Sequence, residues 1–171
     1  PVNSLADVKG LKIRTMENKI HIAFWKEMGA DATPMSWGEA YTALQQGALD
    51  GQENPSLVIL TNNVAQVNKY LAVTEHAYST VFLIMSPVTW ASLGSEYQKI
   101  FMDVMKECDV SERELSRKMD SEAIGKLAEQ GMTATYPDKQ EFVNAGANLY
   151  AQWEAEYGDM ITRIRQLGVN Q

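Results

Sequence analysis

The chain holds one cysteine, Cys108, in 171 residues, so it can form no disulfide of its own. Cys108 is expected as a buried or half-buried helix residue. Only two histidines occur, His21 and His76. With no HExxH pair and no paired cysteines, they make a poor metal-ligand set. No stretch approaches the roughly 20 apolar residues that cross a bilayer; Val81–Met85 is short and reads as part of a strand. A P-loop, a GxGxxG turn and a GxSxG nucleophile elbow are all absent, which argues against the commonest enzyme chemistries. Basic residues are scarce, 15 against 22 acidic ones, for a net charge of -7. That balance argues against nucleic acid and anionic membrane surfaces as partners. It leaves room for a small anion, because one local cation can dominate a cleft. The chain shows no secretory signal and starts at Pro1, without an initiator methionine. Its beginning is therefore expected to reflect processing, proteolysis or the choice of boundaries.

What is present is enough for a core. A hydrophobic share of 45% over this length suits one domain, or one large piece of a two-lobed protein. Leu11–Thr15 alternates apolar and polar residues after Gly10 and reads as a strand. Ile20, Ala23, Phe24 and Met28 recur at helical spacing, and Gly29 closes that helix. Asp31–Thr33 is a weak second strand. Ser36 and Glu39 form a capping-box pattern ahead of a helix that ends near Gly47. Asp50-Gly51 marks a turn, and Pro55 can open a helix carrying Leu57, Val58, Leu60 and Val64.

Farther on, Tyr70–Thr74 and His76–Met85 read as strands, the second rich in β-branched and aromatic residues. Ser86-Pro87 starts a short helix through Trp90. Helical spacing then runs unbroken from Ser95 to Gln130 until Gly131 stops it. Met132–Tyr136 reads as a strand, and Pro137-Asp138 begins a last helix or pair of helices to about Leu167. Strands and helices alternate early, and helices dominate later. The class is α/β.

Three residues could build a binding cleft. Arg14 ends a strand expected to be buried, and ligands of open α/β sheets collect at the carboxyl ends of strands. Its planar guanidinium takes a carboxylate bidentately, although position alone leaves a structural salt bridge open. Trp37, at the mouth of a helix after a strand, could floor a pocket and exclude water, or simply pack. Asn54, before Pro55, could touch a ligand or cap the next helix.

These residues lie in strings that carry a resemblance. Asp7-Val8-Lys9-Gly10-Leu11-Lys12-Ile13-Arg14, then Trp37-Gly38-Glu39-Ala40-Tyr41-Thr42-Ala43-Leu44-Gln45-Gln46-Gly47, then Asp50-Gly51-Gln52-Glu53-Asn54-Pro55 follow in order. Together they resemble the solute-binding subunit of tripartite ATP-independent periplasmic (TRAP) transporters, the DctP-like family. Lys69-Tyr70-Leu71, Thr74-Glu75-His76 and Trp90-Ala91-Ser92-Leu93 extend the likeness over nearly the whole chain.

The resemblance implies a periplasmic protein with a class II binding-protein lobe, a mixed sheet and long C-terminal helices. It implies capture of a small organic carboxylate, such as a C4-dicarboxylate or sugar acid, and delivery to TRAP membrane permease subunits, with no catalysis and no cofactor. The site residues that it implies are Arg14 on the ligand carboxylate, Trp37 lining the pocket, and Asn54 and His76 nearby. A purely structural His76 stays open. Glu17 falls near the site as well, where it would repel an acid unless it faces away or accepts a ligand hydroxyl. Members of the family carry a further segment ahead of the first string. Residues 1–171 are thus expected to form one unit, equivalent to the second lobe and its returning helices, with most of the first lobe missing. The apolar surface left bare would favour self-association. The reading from another class is a helical protein-interaction module with no small-molecule ligand.

Overall fold

The computed structural model describes residues 1–169. Two small parallel sheets are joined and covered by helices. The first sheet contains β1 (Lys12–Thr15), β2 (Asp31–Pro34) and β3 (Gly51–Gln52), in the order β2-β1-β3. Helix α1 (Lys19–Glu27) connects β1 to β2, and α2 (Trp37–Gln45) connects β2 to β3. Such crossovers are what parallel pairing demands. The second sheet pairs β4 (Tyr70–Ala72) with β5 (Thr133–Thr135), also in parallel. Helix α3 (Ser56–Thr61) precedes β4, and α4 (Pro87–Ser92) and α5 (Gly94–Glu129) run between β4 and β5. After β5 come α6 (Lys139–Ala145), α7 (Ala147–Tyr157) and α8 (Asp159–Val169). This is the α/β lobe with long C-terminal helices that the sequence implied. Every strand pairing among the described residues is parallel, however, so no antiparallel strand makes either sheet mixed.

Central position explains the burial of β1. With β2 on one side and β3 on the other, its last three residues, Ile13, Arg14 and Thr15, are buried. Ile13 joins Val8, Trp25, Met28, Ala30, Ala32 and Phe142 in one hydrophobic cluster, so α6 closes over the first sheet. A second cluster, Ile59, Val64, Leu71, Leu127 and Met132, ties α3 and α5 to the second sheet.

Helix ends follow local chemistry. Asn18 caps α1 by accepting from the Ile20 and His21 amides at 2.8 and 3.4 Å. At the end of α5, Gly131 takes φ +94, its amide reaches the Ala128 carbonyl at 2.9 Å, and the Met132 amide reaches Leu127 at 3.0 Å. That double closure needs a left-handed residue, which glycine supplies without strain. It also sets Met132 beside Leu127 in the second cluster and feeds the chain into β5. The Ser36–Glu39 pattern closes differently from a full capping box: the Ser36 hydroxyl donates to the Glu39 carboxylate at 2.7 Å. Helix α3 stops at Thr61, and Val64 sits in a separate 3-10 turn after left-handed Asn63.

The expected strand at 76–85 is corrected by the structure. Residues 75–86 have no regular secondary structure. Tyr78, Val81, Phe82 and Ile84 are 91, 94, 78 and 87% exposed. A strand needs a partner for its backbone groups, and no described strand lies alongside. Cys108 is likewise exposed on α5 rather than buried, because the middle of that helix, at about 54 Å in total length, runs beyond the two clusters.

Candidate functional site

Register places the candidate residues on one edge. Arg14 pairs with Thr33 of β2 and with Gln52 of β3, at the carboxyl ends of the three strands. Trp37 follows three residues after β2 ends at Pro34, and Glu53 and Asn54 follow β3 directly. Where parallel strands end, chains diverge into separate loops and leave a crevice.

Arg14 is 5% exposed. Its Nε–H donates to the Met35 carbonyl at 2.8 Å, and its guanidinium carbon lies 5.4 Å from the centre of the Trp37 ring. The guanidinium is thus held along one edge by a carbonyl and on one face by an indole. It forms no ion pair with any carboxylate among the described residues. Burial pushes its pKa below the usual arginine value, and the charge on Glu53 works in the opposite direction. A buried cation without a counter-charge is costly, and a carboxylate placed on its free nitrogens would relieve that cost.

Glu53 is the carboxylate whose charge is felt at that cation, and both of its oxygens are already engaged. Its Oε1 lies 3.1 Å from His21 Nδ1 and its Oε2 lies 3.4 Å from His76 Nε2. Burial raises its pKa, but hydrogen bonds from His76 and His21 outweigh that, and the carboxyl sits below its ordinary range. His76 is fixed on all sides. Thr74 Oγ1 meets its Nδ1 at 2.7 Å, Phe24 stacks on it at 5.3 Å, and Trp25 meets it edge-on at 4.9 Å. With Nε2–H directed at Glu53, Nδ1 is left to accept from the Thr74 hydroxyl.

Of the five residues singled out from the sequence, Arg14 and Trp37 are in direct contact. Asn54 is half-buried beside Glu53, and its amide donates to Gln52 Oε1 at 2.5 Å instead of capping α3. His76 reaches the group through Glu53. Glu17 is exposed between β1 and α1, and no contact draws it to the others. Sequence reasoning passed over Glu53 and His21. The one available signal was a glutamate directly after a strand end in a chain with only two histidines; that both converge on it is visible only in the structure. Among the described residues no cluster of His, Cys, Asp and Glu could hold a metal. No helix there is long and apolar enough to cross a membrane.

A cation at the carboxyl edge of a parallel sheet, roofed by an indole and without an acidic partner among the described residues, has the chemistry to accept an anionic group. The chain belongs to the bacterial extracellular solute-binding proteins of family 7, DctP, whose model matches residues 1–156. It is 40% identical over 158 residues to a solute-binding protein of Verminephrobacter eiseniae, an alignment covering 92% of this chain and 47% of that one. It is 34% identical over 161 residues to the sialic acid-binding periplasmic protein SiaP of Vibrio cholerae, covering 94% and 50%. The crystal structure of a TRAP periplasmic solute-binding protein from Polaromonas, bound to D-erythronate, superposes with a TM-score of 0.88 at 38% identity. That match covers 94% of this chain and 54% of the other. The chain therefore spans about half the length of these relatives.

Proposed function

We propose that this chain captures a small hydroxylated organic acid in the periplasm and passes it to the membrane subunits of a TRAP transporter. The observation that carries this is Arg14: buried, charged, held by Met35 and Trp37, and without an acidic partner among the described residues. Arg14 receives the ligand carboxylate and Trp37 shields that ion pair from water. Asn54 contacts ligand hydroxyls and His76 acts through Glu53, while Glu17, exposed and apart from the others, reaches a ligand hydroxyl only where a bound acid extends past the β1 end. Two relatives support the ligand class, since one is named for sialic acid and another holds D-erythronate. Both are hydroxylated carboxylic acids. The role is binding, not turnover.

The chain on this reading supplies one lobe and its long helices, and the rest of the trap comes from further sequence. The bare run at Tyr78–Met85 supports that division. Consecutive exposed residues such as Val81, Phe82, Leu83 and Ile84 suit a strand that is covered on both faces and paired at its edges. Left uncovered, the same run would drive copies of this chain together.

Nuclear magnetic resonance titration tests the reading at the weak affinities that one lobe can give. D-erythronate, N-acetylneuraminate and succinate are added in turn to the protein. The expected result is a saturable shift of the Arg14 Nε–H and Trp37 indole signals with at least one acid, which is recovered unchanged. Absence of any such shift at tens of millimolar acid would overturn the assignment.

A further inference from the structure

The indole that roofs Arg14 is itself held by a residue from a different element. Trp37 opens α2, and its Nε1–H donates to Asn62 Oδ1 at 3.1 Å. Asn62 follows α3, and its amide nitrogen donates to the Val58 carbonyl at 2.9 Å. This pair of bonds fixes the amide. An indole N–H can only donate and a carbonyl can only accept, so a flipped amide would set donor against donor and acceptor against acceptor. The backbone backs the arrangement. Asn62 ends α3 and Asn63 turns left-handed at φ 55, which separates the amide from the 3-10 turn that follows.

We propose that Asn62 is a positioning residue for the anion site, acting through Trp37 on Arg14. Trp37 packs on one side against the cluster of Ile59, Val64 and Leu127. Its ring also stands 5.4 Å from the guanidinium carbon. Packing limits where the ring lies, but the bond to Asn62 decides how the ring turns within that space. With the Met35 carbonyl holding Nε and the indole face holding the guanidinium plane, the two terminal nitrogens keep a fixed direction. Pre-orientation of this kind lowers the cost of ordering the fork when a carboxylate arrives. In its ligand arm the inference rests on the binding function proposed above; in its structural arm it does not.

The test uses Asn62→Leu, which removes both bonds, Asn62→Asp, which keeps the acceptor for the indole, and Trp37→Phe, which has no N–H. Solvent exchange of the Trp37 indole proton and the Arg14 Nε proton is measured first, without ligand. Asn62→Leu should speed exchange at both by about threefold to tenfold, the loss of one modest hydrogen bond. Asn62→Asp should restore much of the indole protection. In a Trp37→Phe background, Asn62→Leu should leave Arg14 exchange unchanged. D-erythronate affinity should fall by about twofold to fivefold in Asn62→Leu and show no further fall in the Trp37→Phe background. Unchanged Arg14 exchange in Asn62→Leu, or an equal affinity loss in both backgrounds, overturns the inference. Should the parent protein bind no acid at all, the proposed function fails, and the exchange measurements still decide the role of Asn62. Should Asn62→Leu not fold, Asn62→Asp and Trp37→Phe carry the comparison. Arg14 Nε exchange in Trp37→Phe no faster than in the parent, or an indole in Asn62→Asp exchanging more than about tenfold faster than in the parent, then overturns the inference.

Discussion

Replacing Arg14 by methionine separates binding from folding more sharply than any other single change. The substitution keeps an unbranched side chain of comparable length and removes the charge. Folding loses the hydrogen bond to Met35, about 0.5–1.5 kcal/mol, and the contact with the Trp37 face, about 0.5–1 kcal/mol. It gains the relief of no longer holding a cation in a site that is 5% exposed and offers no acidic partner among the described residues. That relief is of the same order, because an unpaired buried charge is strongly disfavoured. The net change in stability should stay within about 1 kcal/mol, a shift in melting temperature of about 2–4 °C in either direction for a domain of this size. Binding has no such compensation. A ligand carboxylate placed in the same pocket would meet no cation, a loss of about 2–5 kcal/mol, or about thirtyfold to several-thousandfold in affinity. Parallel thermal melts and titrations with D-erythronate read both quantities. An affinity change below about threefold would remove Arg14 from the site. A fall in melting temperature beyond about 8 °C would make it a structural residue and refute the reasoning.

Three further changes probe the frame around it. Glu53 has a folded pKa below its ordinary value of 4.5, so it adds stability that is complete above that value and is lost as pH falls through the lowered one. Acid melts of Glu53→Gln should therefore lack part of the parent's loss of stability below about pH 4.5; identical acid limbs would count against the histidine-held carboxylate. Thr15 is fully buried and its hydroxyl has no partner among the described residues, so Thr15→Val should raise the melting temperature by about 2–4 °C or more, and a lower value would refute the orphaned hydroxyl. Leu127 is 0% exposed at the centre of the second cluster, and Leu127→Ala should cost about 2–5 kcal/mol in denaturant unfolding, with a cost under 1 kcal/mol refuting that placement.

Most of the elements were legible because their causes are local. Glycine after a periodic run stopped α1 and α5 where expected, since a left-handed residue is needed to close the final carbonyls. Alternation at Leu11–Thr15 found β1, and the run from Ser95 to Gln130 found α5 to within a residue at each end. The stretch at 76–85 failed for the converse reason. Its composition is that of a strand, but a strand exists only through its neighbours, and none is provided within these residues. Composition reports what a segment could be buried in and is silent on whether the burying partner is present. Cys108 went astray in the same way: helical spacing identified its helix, and only packing could say which turns of that helix are covered.

The site divides along a similar line. Arg14, Trp37 and Asn54 could be picked out because each stands at the end of a strand or the start of a helix, and position there is a local property. What leaves Arg14 without a salt bridge among the described residues is not local. Glu53 is close enough for its charge to be felt at Arg14, and a simple pairing of the two would have closed the site. Instead His21 from α1 and His76 from beyond β4 take both of its oxygens. The three residues come from segments 23 to 55 positions apart, and no spacing rule links them. Their effect is to hold the protein's own carboxylate in other hydrogen bonds, so that the Arg14 guanidinium, buried at the sheet edge, has no ion pair among the described residues and, on the function proposed above, keeps its terminal nitrogens for a carboxylate from outside.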